Sequence, residues 1–427
     1  MNTNYSFQGF DTVELAKKYG TPLYVISEDR IRDKCRSVRE SFLNVYPNTE
    51  AVYASKAFLT KAMCKIIESE GLGLDVVSGG ELFTAKEADF PMDKVIFHGN
   101  NKSFEELDMA IDFGVGRIVV DFEEEIGMIE SLAKAKGKKA NCLFRITPSI
   151  EGKTHKYIMT GQKDSKFGIP LELESLKAIV EKTMKSPWIS LRGFHFHIGS
   201  QLFENHIYDG AVQVIGNLAK ELKVHQGMEL QELNVGGGFG IRYRGDQNTK
   251  PISFFTEVIM KSVEKTFEGL GLTVPKIIIE PGRWIVGEAG ITLYTIGAIK
   301  KIPGVRTYAG IDGGFPDNPR PALYGAKYDG VIANKMQEEK TELATIAGKC
   351  CESGDILIWD LEVPKLDSGD ILAVMNTGAY NYSMASHYNK IPKPAALLLS
   401  GKKANIIVKR ETYSDLLQKE EMPDHLK

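Results

Sequence analysis

Lys56 stands at the end of an apolar, β-prone run, Ala51-Val-Tyr-Ala-Ser-Lys56, and helical spacing begins soon afterwards at Thr60. Such a run reads as a buried strand, which puts the lysine at the strand's mouth. Burial there would disfavour the ammonium and leave a nucleophilic amine of the kind that condenses with carbonyl compounds. Three other stretches suit the same chemistry. Gly236-Gly-Gly-Phe-Gly240 follows an apolar run, and glycines in that place let backbone N–H groups approach an anion such as a phosphate. Glu280 closes the run Ile277-Ile-Ile279, where a carboxylate is either paired or functional. His195 and His197, two residues apart, share one strand face. No further ligand stands at metal-type spacing, so a flat imidazole against a flat ring is the better reading. A lysine for an aldehyde, glycines for a phosphate and a carboxylate for a pyridine nitrogen together describe a site for pyridoxal 5'-phosphate.

The later part of the chain adds three clusters: Arg320-Pro-Ala-Leu-Tyr324, Cys350-Cys351-Glu352-Ser-Gly-Asp355 and Gly378-Ala-Tyr380. An arginine such as Arg320 can grip a carboxylate with two parallel hydrogen bonds. Cys351 can act as a proton donor if it lies near a carbanion.

These residues need a scaffold, and the spacing of apolar residues supplies one. Strand-like runs fall at residues 52–54, 74–77, 95–97, 118–120, 142–146, 191–198, 233–235 and 277–279. Helical spacing fills the gaps at 81–87, 105–113, 123–136, 172–185, 208–225 and 254–270. Alternation of this kind argues for a parallel sheet, and eight strands argue for a (β/α)8 TIM-type barrel. A barrel carries its chemistry at strand C-termini, and the polar residues gather there. Lys56 follows the first strand, Ser78-Gly-Gly-Glu81 the second (with Asp75 just inside) and His98 the third. Arg145 ends the fifth, His195 to Gln201 the sixth, the glycine turn the seventh and Glu280-Pro-Gly-Arg283 the eighth.

Beyond Arg283 the pattern changes. Short strand-like runs at 284–287, 293–296, 306–309, 356–359, 371–374 and 404–408 are mostly separated by turn residues, and helical spacing returns only at 412–419. The expected organisation is an N-terminal segment, 1–35, whose strand at 23–26 joins a β domain; a cofactor-binding barrel, 36–283; and a mostly β domain, 284–427. Residues 151–165, with their glycine, lysine and histidine, are expected to form a mobile loop.

Composition narrows the function. A chain of 427 residues with 43% hydrophobic and 26% charged residues reads as globular, and a net charge of -3 offers no field for nucleic acid or an anionic membrane. No apolar run approaches the roughly 20 residues of a membrane span, and no signal peptide is evident. The five cysteines lack metal spacing, which suits a reduced, cytoplasmic protein.

Seven motifs, in order, resemble those of the diaminopimelate decarboxylases, fold type III pyridoxal phosphate enzymes. They are Tyr53-Ala-Ser-Lys56-Ala, His195-Phe-His-Ile-Gly-Ser-Gln201, Gly236 to Gly240, Glu280-Pro-Gly-Arg283, Arg320-Pro-Ala-Leu-Tyr324, Cys351-Glu-Ser-Gly-Asp355 and Gly378-Ala-Tyr380. The resemblance implies that Lys56 anchors the cofactor covalently, His197 stacks on its ring and Glu280 pairs with its ring nitrogen. It places Ser200, Gly237, Gly238, Pro281, Gly282, Arg283 and Tyr380 around the cofactor, most of them at its phosphate. It gives substrate binding to Arg283, Arg320, Tyr324, Glu352 and Tyr380, proton donation to Cys351, and no metal. It also implies a homodimer in which the Cys351–Glu352 turn enters the partner's site. The sequence departs from the usual motifs at several places, among them Ser55 for Val, Tyr328 for His, and Asn381 and His387 for Gly and Asn.

The activity so implied is decarboxylation of meso-2,6-diaminopimelate to L-lysine, the last step of lysine biosynthesis. Rival readings are a decarboxylase of ornithine, lysine or arginine, a racemase on the same fold, and a non-catalytic pyridoxal phosphate-binding protein. Glu352 counts against the first, because relatives of that kind usually have Asp after the Cys. The Cys-Glu-Ser-Gly-Asp and Glu-Pro-Gly-Arg motifs count against the second, and the polar clusters beyond the barrel against the third.

Overall fold

The computed structural model describes residues 4–148, 165–245 and 248–427, so all but Ser165 of the expected loop at 151–165 lies outside the described residues. Two compact units emerge. One comprises Arg32–Ile241 and Thr249–Ile285; the other comprises Met1–Ile31, Arg242–Asn248 and Val286–Lys427. The segment Arg242–Asn248, expected within the barrel, groups with the β-rich unit instead.

In the first unit eight strands close into a barrel. They are β1 (Thr49–Ala54), β2 (Gly73–Val76), β3 (Val95–Phe97), β4 (Arg117–Val120), β5 (Ala140–Arg145), β6 (Ile189–His195), β7 (Glu232–Asn234) and β8 (Lys276–Ile279). Every neighbouring pair is parallel, including β8 with β1 and β6 with β7. Most of the strands carry a continuous apolar run, as strands covered on both faces do. Val52, Ile96, Val119, Leu143 and Ile278 meet in one buried cluster.

Local chemistry starts the helices promptly after the strands. Thr60 caps Lys61–Ser69 by accepting from Met63 N. Ser78 does the same for Gly79–Glu87, and Ser103 with Glu106 forms a capping box ahead of Phe104–Phe113. Short strand-to-helix turns of this kind hold side chains at the C-terminal mouth on rigid supports. One expectation fails here. Residues 284–287 read as a strand, yet Arg283–Val286 is helical. A run this short has no reliable period, and Trp284 is buried with Nε1 donating to Lys250 O at 3.1 Å and the Lys34 ammonium 4.2 Å from its ring centroid.

The second unit is built on a nine-stranded sheet. Its long strand Gly290–Ile302 pairs antiparallel with Leu23–Ser27, Arg306–Ile311 and Ile371–Val374. Leu23–Ser27 also pairs, in parallel, with Ala395–Ser400. Leu23, Val25, Ile291, Leu293, Ala373, Leu397 and Leu399 share the core. Three strands of this sheet, Gly330–Ile332, Glu342–Ala347 and Ala395–Ser400, were not visible as strands in the sequence. The last is rich in Ala and Leu, helix-favouring residues that sheet pairing overrides.

Candidate functional site

The barrel mouth gathers a polar cluster. After β1 the chain turns through Ser55–Ala57, and Tyr53 Oη donates to Phe58 O at 2.8 Å to fix the turn. Ser55 and Ala57 are buried but Lys56 between them is exposed, which corrects the expectation of a desolvated amine. Charge rather than burial is what Lys56 shares with its surroundings: it acts on Asp75, Glu81 and His197.

Glu280, just past β8, is 6% exposed. Its Oε1 accepts from Asn234 Nδ2 at 2.7 Å and lies 2.7 Å from His98 Nε2, while Oε2 lies 3.4 Å from His195 Nε2. The two imidazoles meet edge to face with centroids 4.7 Å apart. Burial works against the ionised carboxyl, but His98 and His195 outweigh it and hold Glu280 well below the usual carboxylate range. Burial pushes His195 down to about 3, so the cluster keeps its charge on Glu280. Asp75, with Oδ1 3.7 Å from His98 Nε2, is pushed up to about 6 by burial against the pull of His98, while Glu280 adds to the rise. Burial likewise takes Glu81 up to about 7. His98, His195 and Glu280 present ligand atoms within 4.8 Å of one another. The 2.7 Å between His98 Nε2 and Glu280 Oε1 is shorter than the roughly 3.3 Å that two tetrahedral ligands about 2.0–2.1 Å from a zinc ion keep, so the pair reads as a direct polar contact.

The glycine turn is explained in part by packing. A Cβ on Gly237 would lie 2.1 Å from Glu280 O, and one on Gly238, at φ +98°, would lie 2.2 Å from Gly199 O. Only glycine allows these approaches. Several N–H groups of the turn are spent internally: Gly236 on Asn234 Oδ1 at 2.9 Å, Gly237 on His197 Nδ1 at 3.4 Å and Gly240 on Leu202 O at 2.9 Å. Gly238 N–H has no protein acceptor among the described residues. Beside this region Arg283 Nη2 donates to Ser200 Oγ at 3.1 Å. Burial, then the Lys56 and Arg145 charges, hold His197 well below its ordinary value, leaving a neutral ring. Amine, neutral imidazole, buried carboxylate, and an anion-friendly group of hydroxyl, guanidinium and N–H form a donor set that suits a flat aldehyde-bearing ring with a phosphate.

In the β-rich unit, the short helix Arg320–Tyr324 carries a buried guanidinium. Its carbon lies 5.9, 5.6 and 5.5 Å from the ring centroids of Tyr243, Tyr324 and Tyr380. Arg320 Nε donates to Tyr328 Oη at 2.9 Å, and no carboxylate pairs with it among the described residues. Tyr380 holds φ +63°, a costly conformation for an aromatic residue of the kind that marks functional sites.

Cys351 and Glu352 sit in an exposed turn held by other residues. Asp355 accepts from Phe315 N at 2.6 Å and Cys350 N at 2.9 Å. Cys351 N donates to Asn389 Oδ1 at 2.9 Å, and Glu352 Oε1 accepts from Gly354 N at 3.2 Å.

Sequence reasoning noted His98, Asp75 and Arg145 at strand ends but gave them no role, and it missed Asn234 altogether. Asn234 is fully buried and joins the glycine turn to Glu280 through its two amide atoms. A polar residue ending an apolar strand was the available signal, the same one that singled out Glu280.

Comparison with known proteins gives a consistent picture. Residues 28–287 match the family model described as pyridoxal-dependent decarboxylase, pyridoxal binding domain. The chain is 47% identical to the diaminopimelate decarboxylase of Bacillus subtilis (strain 168), with 96% of this chain and 93% of that protein aligned. For the diaminopimelate decarboxylase of Bacillus methanolicus the figures are 49%, 94% and 93%. The crystal structure of diaminopimelate decarboxylase from M. jannaschii in complex with L-lysine superposes with a TM-score of 0.94 at 36% identity, covering 100% of this chain and 98% of that one.

Proposed function

The chain belongs to the diaminopimelate decarboxylase family of pyridoxal-dependent decarboxylases, and from that membership we propose how its own residues divide the work. The reaction is loss of CO2 from meso-2,6-diaminopimelate to give L-lysine, with pyridoxal 5'-phosphate as cofactor. When bound, that group supplies an electron sink for the pair left behind as CO2 departs.

The observation that carries the reading is Glu280, a buried carboxylate at the barrel mouth, anchored by Asn234 and set against His98 and His195. A carboxylate at that point would keep a pyridine nitrogen protonated, and the sink would depend on that proton. Lys56 would hold the cofactor through its aldehyde, with its amine the group that the substrate's amine replaces. His197 offers its neutral face to the ring. Ser200, Gly237, Gly238, the Pro281-Gly282-Arg283 turn and Tyr380 surround the cofactor, most of them at its phosphate. Arg283, Arg320 and Tyr324 take the carboxylate that is not lost, Glu352 the distal ammonium, and Tyr380 adds to the substrate contacts. A substrate lacking the distal carboxylate would leave buried arginine charge uncompensated, a penalty of several kcal/mol. Cys351 returns a proton to the carbon that lost CO2.

The exposure of Cys351 and Glu352 supports a homodimer in which each turn completes the partner copy's site. Mixing inactive Lys56→Ala with inactive Cys351→Ala protein should then restore activity to part of the mixed dimers; mixtures as inactive as their parents would refute shared sites. Five free cysteines suit a reducing cytoplasm, which cell fractionation checks.

The direct test supplies the cofactor-loaded protein with meso-diaminopimelate, ornithine and L-alanine in turn and follows CO2 and products. CO2 and L-lysine from the first alone are expected. CO2 from ornithine, or racemised alanine, would overturn the assignment. Lys56→Ala should lose both turnover and the visible absorbance of the lysine-bound cofactor; a retained band would mean another lysine holds it.

A further inference from the structure

The sequence departs from the usual motifs of its family at Tyr328 and Asn381, and these residues are neighbours beside Arg320. Tyr328 is 3% exposed and Asn381 fully buried. The Asn381 amide satisfies its surroundings when Nδ2 donates to Ala379 O at 3.0 Å and Thr377 O at 3.1 Å, with Oδ1 towards Asn318. In that orientation both Nδ2 hydrogens are spent on those carbonyls, so Asn381 packs 3.4 Å from Tyr328 Oη without bonding to it. The Tyr328 ring is braced edge-on against Tyr243, centroids 5.3 Å apart at 86°. Burial and this ring packing fix the position of the hydroxyl, and Arg320 Nε donates to it at 2.9 Å.

A guanidinium can offer a carboxylate two bidentate edges: the side edge, which uses Nε–H and one terminal amine, and the end, which uses both terminal amines. The bond to Tyr328 occupies Nε–H and closes the side edge. Among the described residues, tyrosine faces rather than acids surround the rest of the group, so they stabilise the charge without consuming its end-on donors.

We propose that Tyr328, braced against Tyr243, is a positioning residue that fixes Arg320 so that it accepts the substrate's retained carboxylate end-on. The proposal rests on the reading of Arg320 as a substrate-binding residue. L-lysine keeps the carboxylate that Arg320 would hold, whereas 1,5-diaminopentane has none, which separates a carboxylate effect from a general one.

The test measures KM and kcat for meso-diaminopimelate, and inhibition by L-lysine and by 1,5-diaminopentane, in Tyr328→Phe, Tyr328→His and Arg320→Met. Tyr328→Phe keeps the ring and removes the acceptor. It should raise KM and the lysine inhibition constant about tenfold or more, as loss of a hydrogen bond to a charged group does, while the diamine constant and kcat hold steady. Tyr328→His restores a ring acceptor and should recover most of the loss. An unchanged KM in Tyr328→Phe, or equal weakening of both inhibitors, overturns the proposal. So does a fall in kcat and melting temperature without a change in KM, since that marks Tyr328 as merely structural. If Arg320→Met itself leaves KM unchanged, the reading of Arg320 fails. If Arg320→Met raises KM and Tyr328→Phe does not, only the role of Tyr328 fails.

Discussion

Two buried cations, one in each unit, have opposite surroundings. Lys102, in the barrel, is 3% exposed, and its ammonium is fully used: it donates to Gly99 O at 2.8 Å and Val119 O at 2.7 Å and lies 2.5 Å from Glu125 Oε1. Arg320, 8% exposed, makes one hydrogen bond to a neutral hydroxyl and otherwise faces tyrosine rings. Two carbonyl acceptors and the Glu125 carboxylate surround the three protons of Lys102; a guanidinium has five, and four of those of Arg320 have no protein acceptor among the described residues. A buried charge that the fold completes belongs to the architecture. One that the fold leaves incomplete is made for a ligand, because an uncompensated buried charge is otherwise a cost.

The largest effect that would break the comparison is expected at Lys102. Lys102→Met leaves Glu125, with no exposed surface, without its counter-ion, and should lower stability by about 3–5 kcal/mol in urea unfolding. Burial already pushes the Glu125 carboxyl up, and Lys102 pulls it back. Replacing both, Lys102→Met with Glu125→Leu, should recover most of the loss. A single variant costing under about 1 kcal/mol would show that the pair is not the structural device it appears from its geometry.

Asp75 falls between the two cases. It is buried, yet its opposing charges, His98 and Lys56, belong to the barrel mouth. Its folded value of about 6 lies above the roughly 3.9 of an unfolded aspartate. The sign follows from the raised value: the protonated acid favours the fold, its contribution is complete below the unfolded value, and it is lost as pH rises through about 6. Relative to Asp75→Asn, the wild-type chain should lose about 2–3 kcal/mol of stability between about pH 4 and pH 6. Parallel stability–pH curves for the two proteins would show that the mouth compensates Asp75 as fully as Glu125 compensates Lys102.

The contrast also explains what the sequence could reveal. The barrel was legible because its strands, such as Val95–Phe97 and the stretch Ile277–Ile279, carry apolar runs, and most polar residues that end one stand out. Lys56, Glu280, the glycine turn and Arg283 were found on that signal. What it could not give is burial and pairing across the barrel. Lys56 is exposed rather than desolvated, and Asn234 reaches Glu280 only because β7 lies beside β8. In the β-rich unit the strands are short and several, such as Ala395–Ser400, contradict their own propensities. Arg320 was visible as a residue type, but its setting is assembled from Tyr243, Tyr324, Tyr328 and Tyr380, whose sequence positions carry no common period.

The smallest expected effect tests the comparison most sharply. Arg320→Met deletes a buried cation that no acid compensates among the described residues, so the usual penalty of orphaning a partner carboxylate does not arise. The losses are the hydrogen bond to Tyr328, about 1–3 kcal/mol, and tyrosine contacts worth about 0.5–2 kcal/mol. The gain is relief from desolvating a guanidinium, several kcal/mol in a dry interior. Tyr328 keeps its ring contact with Tyr243. The terms nearly cancel, and stability in urea should change by no more than about 1 kcal/mol in either direction while substrate affinity collapses. A loss above about 3 kcal/mol would mean that Arg320, like Lys102, is part of the architecture, and the distinction between the two buried cations would disappear.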